Sequence, residues 1–410
     1  MEIQDIISFK KILKNREKRM EKNPRLIVYL LVFLFTLHLT PGAYINSSFL
    51  EQFTGQNFVG YVYSVGSVIT IFAFIISRKL LRRVGNYKTF MTIMSLNTIS
   101  LLVLSLSLVV NNNPKFGWIF VSAFIVGYVA RSIAFLNIDI FLEHYTNNSD
   151  TGSIRGIFLT SLNFAFVLGP IIAGLLISST ADSAKVYVWG FIVSLLVMFL
   201  AQGYFKSFKD SHYEKSDMAK TLKIVLKDRD LFKIFSSNFI LRFFFSWMVI
   251  YAPIFLHDQI GFSLSQIGLI IGIGLIPFIL LEVPLGKIAD SRFGEKEILS
   301  IGFVIAAIST FAFSLISVKI FWVWALIMFM TRVGASMIEV TSETYLFKKI
   351  DVDDVSIMEL YRAVRPFVYV ISPIIASILL IYFDMKYLFI VLSFVVISGL
   401  FYSLTLKDSK

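Results

Sequence analysis

Apolar residues run along this chain in blocks of about twenty, separated by short segments rich in charge, glycine or proline. The blocks lie near 26–49, 57–77, 89–110, 116–142, 155–178, 185–205, 232–256, 265–286, 297–317, 319–345, 357–382 and 385–406. A helix needs about 20 apolar residues to cross the hydrocarbon of a bilayer, so the pattern predicts twelve membrane spans. The longest polar stretch, Lys206 to Phe232, separates the sixth block from the seventh and contains an amphipathic segment around Met218 to Leu226. The expected organisation is a basic segment 1–25, a six-helix bundle 26–205, a linker 206–231, a second six-helix bundle 232–406 and a tail 407–410. The fold class is an all-α membrane protein of two six-helix bundles.

Charge sets an orientation on that pattern. The 410 residues are 57% hydrophobic and only 16% charged, below the roughly 25% charge of soluble domains. The net charge of +11 does not read as a nucleic-acid face, because the basic residues lie in loops between apolar blocks. If both termini are cytoplasmic, 29 of the 38 Lys and Arg fall in or beside cytoplasmic segments and four in external loops, with five inside spans. Cytoplasmic loops retain Lys and Arg, which predicts a multi-pass protein of a cell membrane, plasma or inner, with both ends and the linker inside. No cleavable signal is expected before the first block. Met1 to Arg25, with eight Lys or Arg, reads either as a basic lead-in on the bilayer surface or as a solvated tail. Cysteine is absent, which excludes disulfides and thiolate chemistry.

The two halves resemble each other at an offset slightly above 200 residues. Phe164 to Gly174 (FAFVLGPIIAG) matches Phe367 to Ser377 (FVYVISPIIAS), with Pro170 and Pro373 in equivalent places. Asp139 and Glu143 of the fourth block echo Glu339 and Glu343 of the tenth, and Arg131 echoes Arg332. Each half crosses an even number of times, so the repeats are parallel, about an axis along the membrane normal.

These features resemble the major facilitator superfamily of secondary transporters over essentially everything after Arg25. Gly286-Lys287-Ile288-Ala289-Asp290-Ser291-Arg292-Phe293-Gly294, preceded by Glu282-Val283-Pro284, is similar to the family's loop motif, with one extra residue between Asp290 and Gly294. The first-half copy keeps Arg83 and Gly85 but has Arg78 where the family has Gly and Arg82 where it has Asp. Gly169-Pro170 with Ala173-Gly174 resembles the antiporter-associated helix-packing motif. Arg155-Gly156 resembles another family position, and Arg131 fits the family's buried Arg, although Ala134-Phe135 replaces the usual Gln-Gly. The resemblance implies that spans 1, 4, 7 and 10 line a central cavity. It also implies that the loop after span 2 closes against the start of span 11, which is acidic here at Asp351, Asp353, Asp354 and Glu359. A swapped polarity is expected there, with Arg82 bonding Glu359, while Asp290 lies near Arg155.

Ionisable groups inside the bilayer need a partner or water. At about 100° per residue, Arg332, Ser336, Glu339 and Glu343 form one polar stripe, with Glu339 about 10 Å beyond Arg332. Glu143 and Glu343 meet the cytoplasmic loops and are expected to pair with cations such as Arg83 and Arg292. The deeper Asp139 and Glu339 are candidates for proton exchange, or else for permanent ion pairs with Arg131 and Arg332. Arg242 stands among phenylalanines and requires an acid from another helix or from a substrate. His38 is a titratable neighbour on span 1 or a hydrogen-bonded interior histidine.

The chain has no phosphate loop of the Gly-x-x-x-x-Gly-Lys-Ser/Thr type and no His/acid cluster with metal-ligand spacing. Neither an enzyme nor a cofactor or metal site is expected. The expected function is proton-coupled export of a small organic solute by a monomer in the lipid bilayer. A uniporter or lipid-handling member of the same fold, or a transport-inactive receptor or scaffold, are the alternatives. Nothing in the sequence selects the substrate.

Overall fold

The computed structural model describes residues 24–43, 45–54, 56–110, 114–146, 150–177, 184–210, 213, 218–290, 294–351 and 354–407. Nearly all of the segment 1–25, and Arg292 and Asp353, lie outside them.

Among the described residues every secondary-structure element is a helix. The first bundle contains α1 (Pro24–Ala43), the short α2 (Asn46–Thr54), α3 (Gln56–Ser105), α4 (Gly117–His144), α5 (Thr151–Leu176) and α6 (Lys185–Phe205). The linker contributes α7 (Met218–Lys227), which covers the amphipathic segment. The second bundle contains α8 (Arg229–Asp258), α9 (Leu264–Ala289), α10 (Gly294–Leu315), α11 (Phe321–Lys349), α12 (Val355–Tyr382), α13 (Met385–Ile397) and α14 (Gly399–Leu404).

Eleven of these segments are long and apolar enough to span a membrane, one of them covering 48 residues from Tyr61 to Leu108. A helix of that length would extend about 72 Å, more than twice a bilayer core of about 30 Å. It is two crossings, divided at Gly85, whose φ of 82° and ψ of 171° break the helix. An L-residue rarely adopts that φ. Asp210 from the linker fills the space where a Gly85 side chain would stand, and its carboxylate accepts from the Asn86 amide at 2.6 Å and the Tyr213 hydroxyl at 2.7 Å. The glycine retained in the first loop motif therefore allows both the reversal and the docking of the linker. With this division, twelve apolar passes result.

Two expected spans differ in detail. Span 1 ends at Ala43, and α2 is separate. The twelfth pass is interrupted at Ser398, and Gly399 packs directly on the Phe303 ring. The outer surface suits lipid: Leu175 is 81% and Phe199 78% exposed, apolar exposure that water would penalise. Asp228 caps α8 by accepting from the amides of Asp230 and Leu231 at 2.9 and 3.0 Å, fixing where the second bundle begins.

Candidate functional site

The bundles meet along α5 against α9 and along the first arm of α3 against α12. Contact between α5 and α9 is backbone on backbone. A methyl group on Gly152 or Gly286 would strike the other's carbonyl, and one on Gly156 would lie 2.5 Å from the Glu282 carbonyl oxygen. Small residues let the bundles touch this closely.

Around that contact, polar side chains join the bundles at the end where the linker attaches. Arg155 of α5 donates to Asp139 of α4 at 2.8 Å and to Glu143 at 3.0 Å, and lies 3.9 Å from Glu343 of α11. From the other bundle, Arg362 of α12 donates to Asp139 at 2.6 and 3.0 Å and to Glu343 at 2.5 and 3.1 Å. Arg155 is fully buried and stacks 3.2 Å above the Phe347 ring. Counted along their helices, Asp139, Arg155, Glu343 and Arg362 lie about 6 to 11 Å from the linker end, and Glu143 lies at that end of α4. They form one layer in which each bundle supplies acids on its fourth span and a guanidinium on its fifth.

Three more contacts reinforce the layer. Asp290, at the end of α9, accepts from the Gly152 and Ser153 amides at 2.9 and 2.8 Å, where the positive end of the α5 dipole favours an anion. Lys348 approaches Asp290 at 3.0 Å and Glu295 at 2.7 Å. Arg78 bonds the fully buried Glu359 of α12. The Glu282 carboxylate, also fully buried, receives the Asn163 amide on both oxygens at 2.9 and 3.1 Å and has no cation within ion-pair distance among the described residues.

Several expected pairings are corrected by this geometry. Arg78, not Arg82, meets Glu359. Arg82 stands one turn nearer the loop, its Nε without a partner, and a fully buried acid requires a cation at its own depth. Asp290 bonds the α5 backbone and Lys348 rather than Arg155, whose guanidinium is occupied by Asp139 and Glu143. Glu143 and Glu343 pair with Arg155 and Arg362, not with Arg83, which is exposed. Arg131 and Arg332 are not the partners of Asp139 and Glu339. Eight and seven helical residues separate them by about 12 and 10 Å along the axis, beyond ion-pair range.

The remaining candidates are dispersed. His38 is buried in the first bundle, its Nε2 3.0 Å from the Asn97 amide nitrogen. Gly169 packs against Thr40 of α1, whose hydroxyl donates to the Ala165 carbonyl at 3.2 Å. Pro170 and Gly174 lie along the same helix α5, and Pro373 within α12. Gly294, with φ of 72°, opens α10. Arg242 bonds Glu339 at 3.0 Å and Asn238 at 3.1 Å. Arg332 and Arg131 have no acid partner among the described residues. Arg332 lies over Phe244 and Phe245 at 5.5 and 5.6 Å.

Sequence reasoning missed Arg78, Asn163, Glu282, Lys348 and Arg362 as site residues. The available signal was charge inside apolar blocks, which marks Arg362 and Glu282 as requiring partners without saying which.

The comparisons agree with the architecture. No curated protein sequence matches this chain. A bacterial homologue of the iron transporter ferroportin, in an outward-facing state, is similar in structure at 16% identity with a TM-score of 0.74, covering 93% of this chain and 98% of its own. The human organic anion transporter MFSD10 is similar at 12% identity and a TM-score of 0.76, over 93% and 99% of the two chains. The proton:xylose symporter XylE gives 14% identity and 0.72, over 96% and 97%. At such identities the likeness is one of fold. A sequence profile of the Major Facilitator Superfamily matches residues 26–358 and 234–410, and the chain belongs to that superfamily of transporters.

Proposed function

We propose that this protein exports a small organic solute across a cell membrane by alternating access and that protons drive it. The linker end is the cytoplasmic side, as the loop charges require, and the structure corresponds to the state closed on that side. The observation that carries the reading is the charge count of the seam. Three carboxylates, Asp139, Glu143 and Glu343, share two guanidiniums, Arg155 and Arg362. A buried carboxylate in excess over its cations is costly unless it takes a proton. Separating the bundles at this end pulls Arg362 from Asp139 and breaks the Asn163–Glu282 bonds, so the opened seam meets water with acids whose partners have left. Proton loss and gain at these acids then accompany the change of access. A monomer is the proposed working unit, a reading supported by both halves of the seam coming from one chain.

The test is a solute screen in proteoliposomes with and without an imposed pH gradient. Asp139→Asn, an amide that mimics the permanently protonated acid, abolishes gradient-driven accumulation and leaves solute exchange intact. Undiminished accumulation against a gradient in that variant removes the proton role.

A further inference from the structure

Six of the seven acids buried among the described residues have a guanidinium or an ammonium within ion-pair distance. Asp139, Glu143 and Glu343 share Arg155 and Arg362, Glu295 meets Lys348, Glu339 meets Arg242 and Glu359 meets Arg78. Glu282 is the seventh. It is 0% exposed, and its carboxyl group meets the neutral amide of Asn163, which belongs to the other bundle. Side chains tilt toward the N-terminus of their helix. Glu282 of α9 therefore points inward from the linker end, and Asn163, on the oppositely running α5, points back to meet it. Below the pair, Gly156 packs so closely that a methyl group there would lie 2.5 Å from the Glu282 carbonyl oxygen, and this contact closes the linker side.

Among the described residues, the helices packed on α9 bring it no spare cation. From α11 the groups facing Glu282 are Glu339 and Glu343, both acids. On α5, Arg155 lies eight residues, about 12 Å, nearer the linker end than Asn163 and is held by Asp139 and Glu143. Arg242 of α8 is bonded to Glu339, and Glu295 at the start of α10 to Lys348. Lys287 of α9 itself is exposed. Burying an ionised carboxylate costs more than the hydrogen bonds of one neutral amide return, and a group left without a cation takes a proton instead. Turned over, the Asn163 amide puts its carbonyl oxygen where its nitrogen stands and accepts from the Glu282 hydroxyl. The pair thus stays bonded when the acid is neutral.

We infer that Glu282 is the proton-bearing acid of the seam: a neutral carboxyl bonded to Asn163 while the linker end is closed, and a hydrated carboxylate once the bundles part there. On opening, the O–H bond breaks to water that enters between α5 and α9, and Glu282 must regain a proton before Asn163 can return. Asp139, Glu143 and Glu343 remain ionised beside their guanidiniums. A proton held in the closed state and released at the linker end is the order that proton entry requires of the exporter proposed above. The carrier role rests on that reading. The presence of the proton on Glu282 does not, so the two fail separately.

The experiment is infrared spectroscopy of the full chain at neutral pH in an ester-free detergent, reading the carbonyl-stretching band of a protonated carboxyl, which ionised acids lack. The band is present in the wild type and lost in Glu282→Gln. Asn163→Ala keeps the acid and removes its hydrogen-bond partner, so it shifts or removes the same band and tests the assignment even if Glu282→Gln does not fold. Arg78→Glu, which opens the seam, weakens the band as the alkylation rate of a Ser153→Cys reporter rises. A wild type without the band, a band that survives both Glu282→Gln and Asn163→Ala, or one lost in Asp139→Asn instead overturns the inference. A band that persists while the reporter shows opening overturns ionisation on opening. Solute accumulation driven by a pH gradient in proteoliposomes tests the carrier role: Glu282→Gln abolishes it, and undiminished accumulation in that variant overturns the role. Failure of the wild type to respond to the gradient removes the proton-driven reading and leaves the band as it was.

Discussion

Arg155 and Arg332 are both buried arginines of the bundle seam, and the structure treats them in opposite ways. Arg155 touches three carboxylates, one of them across the seam, and is closed off from solvent. Arg332 lies between three and four turns higher, about 20 Å, and touches two phenylalanine rings. A guanidinium matched by acids from both bundles holds the bundles together. One with no acid within ion-pair distance among the described residues provides no such tie. Both environments occur on one helix, α11, whose Glu343 belongs to the ion network and whose Arg332 lies against phenylalanine rings.

The comparison breaks most visibly at Arg155. Arg155→Ala leaves Asp139, Glu143 and Glu343 with Arg362 alone, and removing one partner from a buried ion network costs about 3–5 kcal/mol. Thermal unfolding in detergent, followed by circular dichroism, reads this as the largest loss among seam substitutions. A cost below about 1 kcal/mol, the ordinary scale of a point substitution, would show that the acids do not depend on it.

An intermediate effect belongs to Arg78 and Glu359, a single pair across the seam. Arg78→Glu or Glu359→Arg alone sets like charges against each other and favours the linker-end-open state by about 2 kcal/mol, the scale of a hydrogen bond to a charged group. The double reversal restores closure. A cysteine in place of Ser153, in a chain with no native cysteine, reports opening by its rate of alkylation. A double variant labelled as fast as the singles would mean that the two side chains are not coupled.

The smallest change is expected at Arg332. Arg332→Gln removes a cation that has no acid within ion-pair distance among the described residues, so the loss stays under about 1 kcal/mol. A loss matching that of Arg155→Ala in the same unfolding assay would mean that Arg332 has a structural partner after all, and the contrast between the two arginines would fail.

The spans were legible because membrane insertion is a local problem: each block of about twenty apolar residues satisfies its own backbone and meets lipid on its own. The polar stripe on α11 was legible for a similar reason, since 100° per residue assigns a face without reference to other helices. Partners were not. Arg82 and Arg78 lie on nearly the same side of one helix, and the residue numbers favour the loop position. Burial of Glu359 at a particular depth selects Arg78. Arg362 is an isolated cation in the sequence, and only the approach of α12 to α4 brings it to Asp139, 223 residues away.

By itself, then, the sequence determined the number of passes, the division into two related halves and which side chains require compensation for their charge. These follow from the cost of exposing backbone and charge to hydrocarbon, a cost each segment meets alone. The tertiary structure decided which acid neutralises which arginine and which arginines remain unmatched. An ion pair depends on two helices presenting opposite charges at one depth within a few ångströms, and packing across the seam, through contacts as close as that of Gly152 with Gly286, sets that distance.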